Sequence, residues 1–405
     1  MAHGKETAHR NETAHRKETA QRKETAQKKR IRTAAAAGTA AALVLAGCAS
    51  GSGAADGGGD AEGLTPVKLQ LQWFAQAQFA GYYAALDQGF FEDEGLDVEI
   101  VEGGADIVPQ DVLASGDVDY AISWVPKVLG SIEQGANITD VAQIFERSAT
   151  LQVAMADSGI DGPEDLAGKK VGSWGYGNEW ELFAGMKDAG VDPGDIELIQ
   201  QAFDMNGFLS GDIDAAQAMT YNEYAQVLET VNPDTGELYR PGDLSVIDWN
   251  DEGSAMLQDA IWADAGRLAD DAEYQETTTA FIKAAIKGWI YAKDNPEDAA
   301  RIVTEAGSTL GQSHQLWMTN ETNKLIFPST SGVGMIDETA WKNTVDIAMG
   351  TQNETGATIL TTEPPATAYT NEYVGKALAE LEEEGVDTRG ADYEPVEVSL
   401  AEGGN

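Results

Sequence analysis

From Val67 onward, this 405-residue chain alternates short strand-like runs with helix-length amphipathic segments, and no other feature constrains its fold as tightly. Val67-Lys68-Leu69-Gln70-Leu71 alternates apolar and polar residues, the two-residue period of a strand. The spacing predicts a helix over 79–91 that stops near Glu94-Gly95, strands over 96–101 and 118–122, and a helix over 106–114 between them. A helix over 126–134 and a strand over 139–144 follow. A second run begins after Leu151-Gln152-Val153-Ala154-Met155. It predicts strands over 169–172, 197–201, 215–219 and 244–248, with helices over 179–189, near Phe208 and over 222–230. Beyond Asp259-Ala260-Ile261-Trp262 the pattern is mostly helical, over 276–293, 296–305, 312–323, 338–349 and 372–384.

Such alternation calls for parallel sheets covered by helices. The expected architecture is α/β with two lobes, each a mostly parallel sheet flanked by helices. Residues 66–153 and 256–385 form lobe 1, and residues 154–255 form lobe 2 inserted into it. The chain crosses between them near 152–156 and 249–260, and 386–405 is an acidic tail. A cleft between the lobes is the expected ligand site.

The amino-terminal region is built differently. LysGluThrAla at 5–8, 17–20 and 23–26, with AsnGluThrAla at 11–14, makes a six-residue repeat without a large apolar residue. Such a stretch has nothing to bury and is expected to be disordered or weakly helical. Lys28-Lys29-Arg30-Ile31-Arg32 precedes an Ala-rich apolar run over 33–47, too short to span a bilayer comfortably. Residues 1–47 therefore read as a repeat-bearing basic leader ending in a secretory signal. A start codon set too far upstream accounts for the repeat as well as any function does. Leu45-Ala46-Gly47-Cys48 resembles the bacterial lipobox, which implies cleavage before Cys48 and acylation of its thiol. Cys48 is the only cysteine, and lipidation explains a lone cysteine in an exported protein. Residues 48–65, mostly small or acidic, read as a flexible tether. The expected location is outside the cytoplasm, held to the membrane by the lipid alone.

Charge excludes whole classes of partner. Of the 26 Lys and Arg and 68 Asp and Glu, ten and four precede Cys48, leaving a formal charge of −48 after it. So acidic a surface repels nucleic acid and anionic headgroups. It suits a saline habitat, where screening relieves self-repulsion, as well as it suits a generic secreted protein.

Ligands of open α/β sheets lie beyond the carboxyl ends of the strands. Trp73, Trp124, Trp174 and Tyr221 each follow a predicted strand, where rings can sandwich a flat ligand or plug the edge of a core. Polar groups stand beside them: Gln76 and Gln78 after Trp73, Asp204 and Asn206 after 197–201, Asn222 and Glu223 after Tyr221. Glu223 is suited to accept from a ring amine. Asn178 and Glu179 read as ligand-facing or as helix-starting residues. The turn Gly172-Ser173-Trp174-Gly175-Tyr176-Gly177-Asn178 has neither GxGxxG spacing nor a P-loop lysine. Catalytic groups are scarce. After Cys48 there is one histidine, His314, and no cysteine, so a Cys and His zinc site cannot be built. The expectation is no catalytic residue, metal or cofactor.

Leu71-Gln72-Trp73-Phe74, Gln78-Phe79-Ala80-Gly81-Tyr82-Tyr83-Ala84-Ala85, Gly89-Phe90-Phe91 and Glu94-Gly95-Leu96-Asp97-Val98 closely resemble one family of importer binding proteins. That family is the thiamine-pyrimidine-precursor group, which also holds the eukaryotic thiamine pyrimidine synthases. Ser115-Gly116-Asp117-Val118-Asp119-Tyr120, Asp165-Leu166-Ala167-Gly168-Lys169-Lys170-Val171-Gly172 and Ala218-Met219-Thr220-Tyr221-Asn222-Glu223 continue the match, which runs over roughly 67–367. The resemblance implies a periplasmic-binding-protein fold of type II, a monomer, with the permease and ATPase of an ABC importer as partners. Members bind formylaminopyrimidine-like precursors and close relatives bind riboflavin. By position, Trp73, Tyr82, Trp124, Trp174 and Glu223 match the family's ligand-contacting places. The synthases use a pyridoxal-phosphate lysine, a histidine and a cysteine cluster. Here Ser123 and Lys127 stand near the first two, and 251–262 has no cysteine, which argues against synthesis. A binder of sulfonate, nitrate or another small anion is the alternative within the same fold.

Overall fold

The computed structural model describes Gly63–Asn405; the leader over 1–47, Cys48 and nearly all of the 48–65 tether lie outside the described residues. Ten strands follow in chain order: β1 (Thr65–Gln70), β2 (Leu96–Val101), β3 (Tyr120–Trp124), β4 (Ile138–Gln143), β5 (Thr150–Met155), β6 (Lys170–Ser173), β7 (Glu197–Gln200), β8 (Ala215–Met219), β9 (Leu244–Asp248) and β10 (Asp259–Asp264). They form two five-stranded sheets, ordered β2-β1-β3-β10-β4 and β7-β6-β8-β5-β9.

The sheets are mixed. In the first, β10 runs against β3 and β4; in the second, β5 runs against β8 and β9. These are the strands laid down directly after each crossing between lobes. The parallel strands end at the cleft, so a strand that starts there must run the other way. The first crossing lies earlier than the pattern suggested. β5 pairs from Thr150↔Met219 to Ala154↔Ala215, which places Thr150–Val153 in lobe 2 and leaves 144–149 as the link. An apolar run reads the same on either side of a hinge, so pattern alone put the crossing several residues late. The return link runs over 249–258, and side chains tie the two links together. Asn250 Nδ2 donates to the Ser148 carbonyl at 2.8 Å, and Gln258 Oε1 accepts from the Ala149 amide at 2.9 Å. Glu181 clasps both, accepting from the Met256 amide at 2.6 Å and Ser148 Oγ at 3.0 Å.

Two other expectations change. The helix read over 79–91 is a turn at Ala77–Phe79, a helix at Ala80–Asp87 and a further turn at Phe90–Asp93, broken where Gly89 takes φ 76°. The acidic tail is docked. Tyr393 Oη donates to the Asn320 carbonyl at 3.2 Å, the Val396 amide donates to Asn320 Oδ1 at 2.9 Å, and the Gly403 amide donates to the Glu229 carbonyl at 3.1 Å. Tyr393 and Leu400 supply apolar anchors that its net charge conceals. Among the described residues, no helix is long and apolar enough to cross a membrane.

Lobe 1 is centred on the Ala272–Asp294 helix, whose Phe281, Ile282, Ala285 and Trp289 are buried against β1, β3 and the Ala80–Asp87 helix. These helices cross where Gly81 faces Gly288. A Cβ on Gly288 would meet the Gly81 carbonyl, and one on Gly81 would meet the Trp289 indole. Gly288→Ala is therefore expected to lower the urea midpoint, costing about 2–3 kcal/mol through overpacking. Gly375→Ala, in the Glu372–Glu383 helix with open space around it, should raise stability by about 0.5–1 kcal/mol.

Candidate ligand-binding cleft

Between the carboxyl ends of the two sheets lies a cavity of about 630 Å³. Trp73, Gln78, Trp124, Trp174, Asn178, Tyr221 and Glu223 all line it. Lobe 1 contributes Trp73 just after β1 and Trp124 at the end of β3; lobe 2 contributes Trp174 just after β6 and Tyr221 just after β8. Phe203, from the loop after β7, reaches across the mouth. Its ring lies 4.7 Å from that of Trp73 and stacks at 18° on Trp174 with centroids 6.4 Å apart. Tyr221 meets Phe145 edge-on at 6.4 Å, so the apolar floor runs unbroken from one lobe to the other. The Trp174 indole N–H is buried without a protein partner. A buried unpaired donor invites an acceptor.

Beneath the lobe 1 wall is Asp259, 2% exposed. The β3–β10 register sets it opposite Trp124. Its Oδ1 accepts from the Trp124 indole N–H at 2.8 Å and from Gln72 Nε2 at 2.5 Å, and its Oδ2 accepts from Gln78 Nε2 at 2.9 Å. One carboxylate thus orients three side chains of the lining. Glu223 begins the Glu223–Leu228 helix, where Oε2 accepts from the Met219 amide at 3.0 Å and Oε1 from Asn222 Nδ2 at 3.0 Å. Lys127 is the cation of this wall, with Nζ 4.6 Å from the centre of the Trp124 ring. Gln217, on β8, shapes the Trp174–Asn178 turn: its Oε1 accepts from the Trp174 amide at 3.1 Å, and its Nε2 donates to the Asn178 carbonyl at 2.5 Å.

Two expected ligand contacts lie elsewhere. Tyr82 is buried in the lobe 1 core, edge-on to Trp289 at 5.6 Å, because its helix turns that face inward rather than toward the cleft. Asp204 does not line the cavity. Its Oδ1 accepts from the Asn206 amide at 2.9 Å and holds a local turn. Asn178 lines the cavity, yet its carboxamide donates to the Gly175 carbonyl at 2.6 Å and so serves its own loop. Asp259, Gln72 and Phe203 escaped the sequence reading. An acidic residue heading the apolar run Ala260-Ile261-Trp262 was the available signal, but it points to the cleft only once β10 is known to run backward. Among the described residues, no group of three or more His, Cys, Asp or Glu is placed to hold a metal.

Burial raises the Asp259 carboxyl to about 7, against the pull of its hydrogen bonds from Gln78, Trp124 and Gln72 and the charge of Lys127. Burial likewise raises Glu223 to about 7, opposed by the Met219 amide and the charge of His314. Desolvation lowers Lys127 to about 8, opposed by the charges of Asp259 and Glu179. A carboxyl held above its unfolded value contributes stability at low pH that is lost as pH rises through about 7. A lysine held below its unfolded value acts in the reverse sense, adding stability as pH climbs past about 8. The melting temperature of Asp259→Asn relative to the parent should therefore rise by about 2–4 °C between about pH 5 and 8. A difference that stays constant across that range would overturn the assignment of a strained carboxylate to Asp259.

Comparison with known proteins places this architecture. Residues 76–299 match the model of the NMT1/THI5 like family. A formylaminopyrimidine-binding protein from Halalkalibacterium halodurans is 28% identical over 242 residues, covering 59% of this chain and 70% of that one. A 4-amino-5-hydroxymethyl-2-methylpyrimidine phosphate synthase from Aspergillus parasiticus is 24% identical over 159 residues; the match spans 39% of this chain and 46% of the synthase, about half its length. Among solved structures, the periplasmic sulfonate-binding protein SsuA from Methylobacillus flagellatus superposes with a TM-score of 0.55 at 18% identity, over 84% of this chain and 99% of that one. That likeness shows the two-lobed periplasmic-binding-protein fold. With more than half its residues inside the family model, the chain is a member of the NMT1/THI5-like family.

Proposed function

We propose that the chain is an extracytoplasmic, lipid-anchored binding protein that captures a planar amino-heterocycle of the thiamine-pyrimidine-precursor kind and presents it to the permease and ATPase of an ABC importer. The observation that carries this reading is the pairing of tryptophans from both lobes with the buried Glu223 carboxylate in the cavity lining, while Asp259 orients Trp124 from behind. Aromatic walls take the faces of a flat ring, and a carboxylate accepts from its exocyclic amine. The formylaminopyrimidine-binding relative supports the same ligand class.

The volume favours a second reading, riboflavin. About 630 Å³ lies well within the range of drug-sized ligand pockets and leaves room beyond one pyrimidine ring. A sulfonate or nitrate fits the charge poorly, because it would meet the Glu223 carboxylate in the lining and Asp259 buried just behind Trp124, with only Lys127 among the lining cations. For synthesis, Ser123 stands near the place of the synthases' lysine, and its Oγ donates to Gln110 Oε1 at 3.1 Å; the chain reads as a carrier.

Tryptophan fluorescence during titration separates these readings. An aminopyrimidine should quench it saturably, taurine should leave it unchanged, and riboflavin should succeed alone if the second reading holds. Silence toward both heterocycles sinks the proposal, and a new Schiff-base absorbance on adding pyridoxal phosphate would favour the synthase. Glu223→Gln should weaken aminopyrimidine binding roughly 10- to 100-fold, the worth of a charge-assisted hydrogen bond. For the anchor, Cys48→Ser should move the protein from the membrane fraction to the soluble one and abolish incorporation of labelled fatty acid.

A further inference from the structure

The Gln312–Ile326 helix belongs to lobe 1, with Met318, Leu325 and Ile326 in that core. Its first turn reaches the other lobe. His314, 1% exposed, lies with Nδ1 2.9 Å from both carboxylate oxygens of Glu229 and Nε2 3.1 Å from Asn222 Oδ1. Both partners flank the Glu223–Leu228 helix of lobe 2. A carboxylate only accepts. The Asn222 amide is oriented by its own bonds: Nδ2 donates to Glu223 Oε1, and Oδ1 also accepts from Gln226 Nε2 at 3.1 Å. Both ring nitrogens of His314 therefore face acceptors. The result is a buried hydrogen-bonded pair that joins the lobes, continued through Asn222 to the cleft carboxylate Glu223.

The surroundings reinforce the join. One turn along, the Trp317 indole N–H donates to the Thr220 carbonyl at 3.0 Å across the same seam. The chain end covers the pair. The Gly403 amide donates to the Glu229 carbonyl, and Gly404, at φ 76°, lies so close that a Cβ there would press on the Glu229 carboxylate and His314. If the lobes part, His314 leaves with one and Glu229 and Asn222 stay with the other. Each of the pair then loses its buried partner, and Asn222 loses a neighbour that steadies it beside Glu223.

We propose that His314 is a positioning residue that couples ligand capture to lobe closure: only in the closed arrangement does it steady Asn222, and through it Glu223, while Gly403-Gly404 seals the pair. This inference rests on the reading of the cleft as a ligand site that uses Glu223.

The test has two arms on the full chain. Without any ligand, His314→Gln should speed amide exchange at Gly403 and across 222–229 at least about tenfold, since removing one partner of a buried pair strands the other. Unchanged exchange overturns the latch even if no ligand is ever found. With 4-amino-5-hydroxymethyl-2-methylpyrimidine as probe, stopped-flow fluorescence should show dissociation about tenfold faster and association within about threefold of the parent. Adding His314→Gln to Glu223→Gln should then cost little more, because the group that His314 steadies is already gone. Fully additive losses, or unchanged dissociation, would reduce His314 to a structural role and overturn the coupling. If His314→Gln does not fold, Asn222→Ala cuts the relay while sparing the His314–Glu229 contact and must show the same faster dissociation. A parent that binds no heterocycle while its ligand-free exchange still depends on His314 would refute the ligand reading and leave the interlobe pair standing.

Discussion

The cleft depends on one buried carboxylate. Asp259 is taken out of water at the start of β10, where a lone charge would be prohibitively costly. Its cost is offset by three donors, from Gln72, Gln78 and Trp124. Those donors are themselves lining residues, so the group that needs them also orders the site. Trp124 cannot turn without leaving the carboxylate underpaired, and Lys127 is held over the same indole. The preorganisation of the lobe 1 wall is therefore electrostatic as much as steric.

Lobe 2 reaches the same end with amides. Gln217 fixes the Trp174–Asn178 turn from a buried strand position, and Gln201 Oε1 in turn accepts from the Gln217 amide at 2.9 Å. The Glu179 carboxylate adds to the turn that carries Trp174, accepting from the Gly177 amide at 3.1 Å, while Glu223 is the lobe 2 carboxylate in the cavity lining. The cleft is thus built from one wall anchored by Asp259 and one anchored largely by amides, with rings lining both.

Much of this was legible in the sequence. The strand–helix alternation located every strand but β5 and β10 to within a few residues, because a two-residue period and glycine stops survive tertiary context. Trp73, Trp124, Trp174, Tyr221 and Glu223 were found by one rule, that ligands lie beyond strand ends. What stayed hidden was direction. The antiparallel course of β5 and β10 places Asp259 at the cleft, and no local pattern encodes which way a buried strand runs. Tyr82 shows the reverse failure, since a matching position in a family does not say which face of its helix turns inward. His314 carried no functional signal in the sequence because its partners, Asn222 and Glu229, are 92 and 85 residues away.

The mixed sheets also set an order of assembly. All five strands of lobe 2 fall within 150–248, so that sheet can be completed as soon as its own residues are available. Lobe 1 cannot, because β10 lies between β3 and β4. Until Asp259–Asp264 emerges, its sheet exists as two fragments with open edges facing each other. Chain closure over so many residues is slow, and exposed edges invite mispairing. During synthesis, the insert is poised to mature first and the host lobe to be finished around it. The half-built first lobe is then the vulnerable state of this protein.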